Sequence, residues 1–169
     1  MASSGAYETT EFPGNGTIVA LPQRKTWDIG QKPSGRSAYV FVTEVLKRKV
    51  GTGIDVVIKA AGGYAELGFI QNRAHPADQS GNKMVGVSLG PSFSGVYNPN
   101  EGSPFVPISS RTTEDLRCQL RFQRKGTILR VNGANVYVGT DDEWPEYYGY
   151  IGSGDLSLIR FENLRVVRA

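Results

Sequence analysis

The sequence predicts an all-β chain folded as an antiparallel two-sheet sandwich of jelly-roll type, and three observations carry that prediction. The pair Asn132-Gly133 joins two β-prone runs, Thr127 to Val131 and Ala134 to Val138. Asn and Gly tolerate the positive φ of a tight turn, which makes the pair a strong hairpin signal. Apolar residues recur at every second position in run after run, the period of a strand with one buried face. The 21 Gly and 9 Pro of the 169 residues punctuate those runs, and no helical pattern long enough for a crossover helix intervenes. A chain of this length fits one domain, residues 16–169, preceded by an arm.

Residues 1–15 are small, polar and broken by Gly and Pro, with Tyr7 and Phe12 as anchors, and are expected to form a flexible arm over the sandwich. Gly16 to Leu21 reads as a short strand stopped by Pro22, and Trp27 and Ile29 flank Asp28 in another. After a loop from Gly30 to Gly35, the run Ser37 to Val50 holds Tyr39, Val40, Phe41, Val42, Val45 and Leu46, apolar on both phases. Its β-branched and aromatic content predicts a central strand buried on both faces rather than a helix. Ile54, Val56 and Ile58 then alternate, the chain turns at Gly62-Gly63, and Ala65, Leu67 and Phe69 alternate again, so the two runs are expected to pair as a hairpin.

Val85, Val87 and Leu89 share a phase in the next strand. Gly90 to Pro104 has no apolar period and carries Phe93, Tyr97, Asn98, Asn100 and Glu101; loops of that length are commonly functional. Leu116 to Lys125 alternates Cys118, Leu120 and Phe122 inward with Arg117, Gln119, Arg121 and Gln123 outward. In the Asn132-Gly133 hairpin, Leu129 and Val131 on one arm and Val136 and Val138 on the other form the apolar face. A phase slip between Phe161 and Leu164 predicts a bulge at Glu162-Asn163.

The net charge is +3, but Lys and Arg stand singly, and the longest basic run, Lys47-Arg48-Lys49, ends at Val50-Gly51. Without a dense basic stripe and interleaved aromatics, nucleic acid is not an expected partner. Neither is a membrane, since no apolar stretch approaches spanning length. The first residues lack the basic head and apolar run of a signal peptide. The chain is thus read either as cytosolic or as a domain cut from a longer protein, extracytoplasmic in the second case. Cys118, in phase with Leu120 and Phe122, is expected to be a buried, inert thiol; alone, it forms no internal disulfide.

The closing quarter adds a resemblance. Leu129-Arg130-Val131-Asn132-Gly133 with Val136-Tyr137-Val138, then Gly149-Tyr150-Ile151-Gly152, then Ile159 to Val166 resemble the ending of the concanavalin A-like, laminin G-like jelly-roll superfamily, closest in flavour to the bacterial 3-keto-disaccharide hydrolase-like domain. The resemblance implies a glycan or another protein domain as partner. It also exposes two departures. The retaining glycosidases of this fold carry carboxylates at alternate positions of one strand, whereas Glu66 stands alone and Asp55 lies on another strand. The keto-sugar enzymes use a metal-dependent site, and this chain has one histidine, His75.

Three constellations are candidate sites. In the first, Asp141, Asp142, Glu143, Trp144, Tyr147 and Tyr148 combine rings that stack on sugar C–H faces with acids that accept hydroxyl hydrogen bonds; such a loop equally suits an aromatic plug over one end of the sandwich. No cofactor is expected, and Ca²⁺ is the one ion those acids suit. In the second, Arg117 and Arg121, with Gln119 and Gln123, form a polar row that on a concave sheet would meet Tyr64, Glu66 and Tyr137, and otherwise is a solvent face. In the third, His75 and Asp78 share a polar loop. Tyr97 and Asn98 of the long loop join the ligand-contacting set. Because no complete catalytic constellation is visible, the first reading is a non-catalytic, lectin-like carbohydrate-binding module. A protein-interaction or structural module and a glycoside-acting enzyme follow.

Overall fold

The computed structural model describes residues 3–4, 7–12, 16–21, 25–31, 38–71, 84–97, 105–140, 145–153 and 158–169. Among them all regular structure is β. The first strands in chain order are β1 (Ser3–Ser4), β2 (Thr9–Phe12), β3 (Gly16–Leu21), β4 (Thr26–Gln31), β5 (Ala38–Val42) and β6 (Leu46–Lys47). Next come β7 (Gly53–Ile58), β8 (Ala65–Ile70), β9 (Met84–Leu89), β10 (Ser94–Tyr97) and β11 (Phe105–Pro107). The last are β12 (Leu116–Phe122), β13 (Gly126–Val131), β14 (Ala134–Thr140), β15 (Glu146–Ser153) and β16 (Ile159–Arg168). They form two sheets, ordered β14-β13-β12-β7-β16-β4-β3 with β1 on β16, and β11-β10-β9-β8-β15-β5-β2 with β6 on β15. Neighbouring strands are antiparallel throughout, as β7 against β12 and β8 against β15 illustrate.

The alternation sorts side chains as the sequence implies. Ile54, Val56, Cys118, Leu120, Phe122, Leu129, Val131 and Ile159 from the first sheet meet Val40, Val42, Leu67, Phe69, Val85 and Val87 from the second in one buried core. Phe69 and Phe122 stack across it with centroids 4.2 Å apart, and Tyr147 packs against both. Burial pushes the Cys118 thiol up to about 12, which keeps it a neutral packing group. The Asn132-Gly133 turn has positive φ at both residues, 51° and 86°, and the Asn132 side chain accepts from the Arg117 amide at 2.8 Å. The bulge falls where the phase slips: the β16 register shifts between Glu162 and Arg165, and Asn163 sits at φ 55°.

Three features depart from the sequence expectation. β7 and β8 do not pair. β7 lies between β12 and β16 in the first sheet and β8 between β9 and β15 in the second, so the Gly62-Gly63 link carries the chain across the sandwich, tied by the Thr112 hydroxyl to the Gly63 carbonyl at 2.9 Å. A period of two fixes a strand's face but not its partner. On β14 a bulge opposite Leu129/Arg130 inverts the phase, so Tyr137 rather than Val138 faces the core, and Val138 is 68% exposed. Part of the segment expected as an arm is paired: β1 lies on β16, β2 on β5, and the Tyr7 hydroxyl donates to the Leu164 carbonyl. Backbone pairing on sheet edges needs no apolar period, which is why it left no pattern to read.

A second, smaller buried cluster lies on the outward face of the second sheet, where Tyr39, Phe41, Ile70 and Tyr150 pack together with Met84 and Tyr148. The double-sided burial predicted for the run Ser37 to Val50 holds for β5, but the run is not one strand: it breaks after Val42, resumes as β6, and Val50 is 58% exposed.

Candidate functional site

The register of the second sheet lays out its outward face in rows. One row runs Tyr39, Gly152, Glu66, Ser88, Gly95, Pro107 across β5, β15, β8, β9, β10 and β11. The next runs Phe41, Tyr150, Gly68, Gly86, Tyr97, Phe105. The glycines are where rings lie down on the backbone. A Cβ on Gly86 would come within 2.8 Å of the Tyr150 hydroxyl, and one on Gly68 would meet that hydroxyl at 2.8 Å and collide with the Val85 carbonyl. Cβ atoms on Gly152, Gly95 and Gly90 would run into the rings of Tyr39, Phe105 and Tyr64 respectively.

This paving differs along the sheet. Toward β5 and β15 the rings of Tyr39, Phe41 and Tyr150 are buried, with Tyr39 edge-on to Tyr150 at 5.6 Å. Toward β11 they are open: Tyr64 is 38%, Phe93 46%, Tyr97 42% and Phe105 36% exposed. Phe93 and Phe105 stack at 5.3 Å with an interplanar angle of 19°, and the Tyr64 and Ser92 hydroxyls lie 3.3 Å apart. These exposed rings, gathered on one face, make it the candidate interaction surface.

Glu66 stands between the two zones, half-buried, and its Oε2 accepts the Tyr39 hydroxyl at 2.8 Å. Burial raises its carboxyl above the usual carboxylate range, and the Tyr39 hydrogen bond opposes that as the smaller effect. The buried Tyr150 hydroxyl is raised as well, first by burial and then by the Glu66 carboxylate. The surface thus offers flat apolar rings bordered by one acceptor that is not fully solvated.

Of the residues singled out from sequence, Tyr64, Glu66 and Tyr97 come together here. Tyr148 is half-buried against the Tyr39–Tyr150 cluster at the edge of the same face. Tyr147 is corrected: it is buried in the core between Phe69 and Phe122, because its phase on β15 points inward, and it presents no surface to a ligand. Arg117 and Arg121 are corrected too. They lie on β12 in the first sheet, so their outward face is the opposite side of the sandwich from Tyr64 and Glu66, and Tyr137 is in the core between. Arg121 forms an ion pair with Asp55 and donates to the Ile54 carbonyl at 3.0 Å, a solvent-face arrangement. Asn98, Asp141, Asp142, Glu143, Trp144, His75 and Asp78 lie outside the described residues.

The sequence reading passed over Tyr39, Phe105 and Tyr150 as site-forming groups. The signal that points to them is glycine inside otherwise strand-like runs, at Gly68, Gly86, Gly95 and Gly152, which marks a close approach to the backbone. Among the described residues no group of three or more His, Cys, Asp or Glu side chains converges to hold a metal ion, and no helix is long and apolar enough to cross a membrane.

No protein-family model matches the chain, and no curated protein matches it. Solved structures do. The chain is similar to the apo Crh5 transglycosylase (TM-score 0.63, 11% identity, covering 100% of this chain and 88% of that one). It is also similar to the Bacillus licheniformis β-glucanase (TM-score 0.61, 10% identity, 99% and 92% covered). The carbohydrate-binding module CBM66 from Bacillus subtilis matches with TM-score 0.57 and 11% identity, over 95% of both chains. At these identities the likeness establishes the fold, a concanavalin A-like jelly-roll sandwich.

Proposed function

We propose that this chain is a non-catalytic, lectin-like carbohydrate-binding domain, with its glycan on the outward face of β8 to β11. The observation that carries the reading is the convergence of four exposed rings, Tyr64, Phe93, Tyr97 and Phe105, beside a single hydrogen-bonded carboxylate, Glu66. Sugar C–H faces stack on flat rings, and a carboxylate accepts ring hydroxyls. The similarity to a carbohydrate-binding module and to enzymes named for glycan chemistry supports carbohydrate as the ligand class. Asn98 and the 141–144 segment, with Trp144 as its stacking ring, are proposed as further contacts.

Binding is favoured over cleavage by the strand that bears Glu66. A retaining glycosidase needs a second carboxyl at about 5 Å, and the next outward positions on β8 are Gly68 and Ile70. Glu146, on the same phase of β15, lies roughly 20 Å along the strand from Gly152, which pairs with Glu66. One observation favours the alternative of a glycoside-acting enzyme: the Glu66 carboxyl is raised, as a general acid's would be.

A glycan array probed with the wild type and with Phe105→Ala tests the reading. Retention of at least one glycan by the wild type, weakened in Phe105→Ala, is the expected outcome. If nothing on the array is retained, the open rings are a protein-docking surface instead. Product analysis on retained glycans completes the test, since Glu66-dependent release of new chain ends would make the chain an enzyme.

A further inference from the structure

Charge is segregated over this molecule more sharply than its net charge of +3 suggests. Four cations make ion pairs away from the aromatic face: Arg121 with Asp55 and Arg160 with Asp28 on the strands of the first sheet, Lys59 with Asp115 at the end of β7, and Arg168 with Glu44 at the end of β16. Lys47, Lys49 and Arg168 line a separate hollow beside Leu46 and Thr52. On the two outward rows of the second sheet, from Tyr39 to Pro107 and from Phe41 to Phe105, the ionisable acid or base is Glu66 alone among the described residues; the other titratable groups there are tyrosines. Glu66 is neither compensated nor freely solvated. Its one described partner is a neutral phenol, Tyr39.

We infer that Glu66 makes this face selective for uncharged saccharides and rejects uronic-acid-containing and sulfated ones; the inference rests on the glycan-binding reading above. The physical reason is asymmetric. A neutral sugar donates a hydroxyl hydrogen bond to Glu66 while its C–H face covers Phe105 and Phe93. Above the raised pKa of Glu66, a carboxylate or sulfate brought to the same place meets a like charge in a partly desolvated setting, where charge interactions are stronger than in bulk water. On these two rows no described arginine or lysine offers an opposing charge, and Lys47, opposite Glu146 in the β6–β15 register, stands roughly 20 Å away along β15. Glu66 acts here as a specificity-determining residue by repulsion, in addition to any attraction it supplies to hydroxyls.

The test uses paired probes that differ only in charge: laminarin and sulfated laminarin, and xylo-oligosaccharides with and without glucuronic acid branches, together with neutral and sulfated galactans. Affinities are compared for the wild type, Glu66→Gln, Tyr39→Phe and Phe105→Ala at low and high ionic strength. Wild type is expected to bind the neutral member of a recognised pair roughly tenfold more tightly, with the preference shrinking as salt rises. Glu66→Gln keeps the shape and an acceptor oxygen, and should reduce the preference to about twofold or less. Tyr39→Phe removes a hydrogen bond without removing charge and should keep it. Phe105→Ala should weaken both members alike. Equal binding of neutral and anionic members by the wild type, or an unchanged preference in Glu66→Gln, overturns the inference while leaving glycan binding intact. Absence of binding to every probe and to every glycan on the array, with the fold retained, overturns the binding reading and the selectivity with it.

Discussion

The two outward faces of the sandwich are built from the same period-two alternation and end in opposite chemistry. On the first sheet, long polar side chains cross between neighbouring strands: Arg160 grips Asp28 through two hydrogen bonds of 2.9 and 3.0 Å, Arg121 pairs with Asp55, and Arg130 donates to Asn135 at 2.8 Å. On the second sheet, rings lie over glycines, and four rings, Tyr64, Phe93, Tyr97 and Phe105, are open to solvent near one carboxylate. On the first face, described polar groups of neighbouring strands pair with one another, although Val19 and Val138 are exposed there. The second leaves apolar area unsatisfied, which is what a ligand would cover. Alternation decides inside from outside; the residues spaced between the core positions decide whether the outside rests or recruits.

The sharpest way to break this contrast is to stand the second face's rings up. In Gly68→Val the new Cβ would press on the Val85 carbonyl and the Tyr150 hydroxyl, and backbone cannot retreat as a flexible side-chain end can. A destabilisation of about 3 kcal/mol is expected, read from denaturant unfolding. Gly62, which has open space around the same atom, is the control: Gly62→Ala should leave the unfolding midpoint nearly unchanged. Equal effects at the two positions would mean that the ring packing contributes nothing to the sheet.

Phe105→Ala comes next in size and should separate the face's role from the fold's. Phe105 is exposed on a short edge strand and stacks on Phe93, so its loss should cost about 1 to 2 kcal/mol of glycan affinity and leave the unfolding midpoint close to wild type. Titration calorimetry with a glycan retained on the array, set beside a melting curve, measures both.

Glu66→Gln should act on stability through pH. The folded carboxyl is raised, first by burial and with Tyr39 opposing. For a raised acid, the native state is favoured where the group is protonated, below its unfolded pKa, and that advantage is lost as pH rises through the folded value. Above the folded value the wild type therefore carries the cost of an ionised, half-buried Glu66, and there Glu66→Gln should be the more stable protein. As pH falls below the ordinary carboxylate range the difference should vanish. A stability gap independent of pH would show that ionisation of Glu66 is not its source.

How far the sequence reaches is seen by following single residues. Ile54, Leu120 and Phe69 are buried as their phase requires, and the turn at Asn132-Gly133 is legible because positive φ limits the residues that tolerate it. Tyr137 and Val138 exchange roles because a bulge costs one residue of register and nothing in their own identity announces it. The candidate site divides in the same way. Tyr64, Glu66 and Tyr97 are recognisable as outward groups, but that they share a sheet while Arg117 and Arg121 belong to the other depends on strand order, which is a long-range property. Tyr39 and Tyr150 look like core residues in sequence, and are buried, yet they pave the outward side; only the intervening glycines hint at it.

The smallest expected effect on binding belongs to Arg121→Met on the resting face. Arg121 is mostly covered, pairs with Asp55 and donates to the Ile54 and Leu120 carbonyls, at 3.0 and 3.2 Å. Its removal leaves the largely covered Asp55 carboxylate without that partner while Met keeps most of the aliphatic packing, so a loss of stability of about 2 to 3 kcal/mol is expected. Its effect on glycan affinity should be none, since two sheets and the core separate it from Tyr64 and Phe105. That second expectation is the informative one. The pattern Arg117, Gln119, Arg121, Gln123 has the residue types of a hydroxyl-reading floor, and chemistry alone does not distinguish it from a solvent face. If Arg121→Met weakens glycan binding while the protein stays folded at the assay temperature, the ligand lies on the first sheet and the aromatic face has another use. If affinity is unchanged, the difference between the two faces is functional as well as chemical.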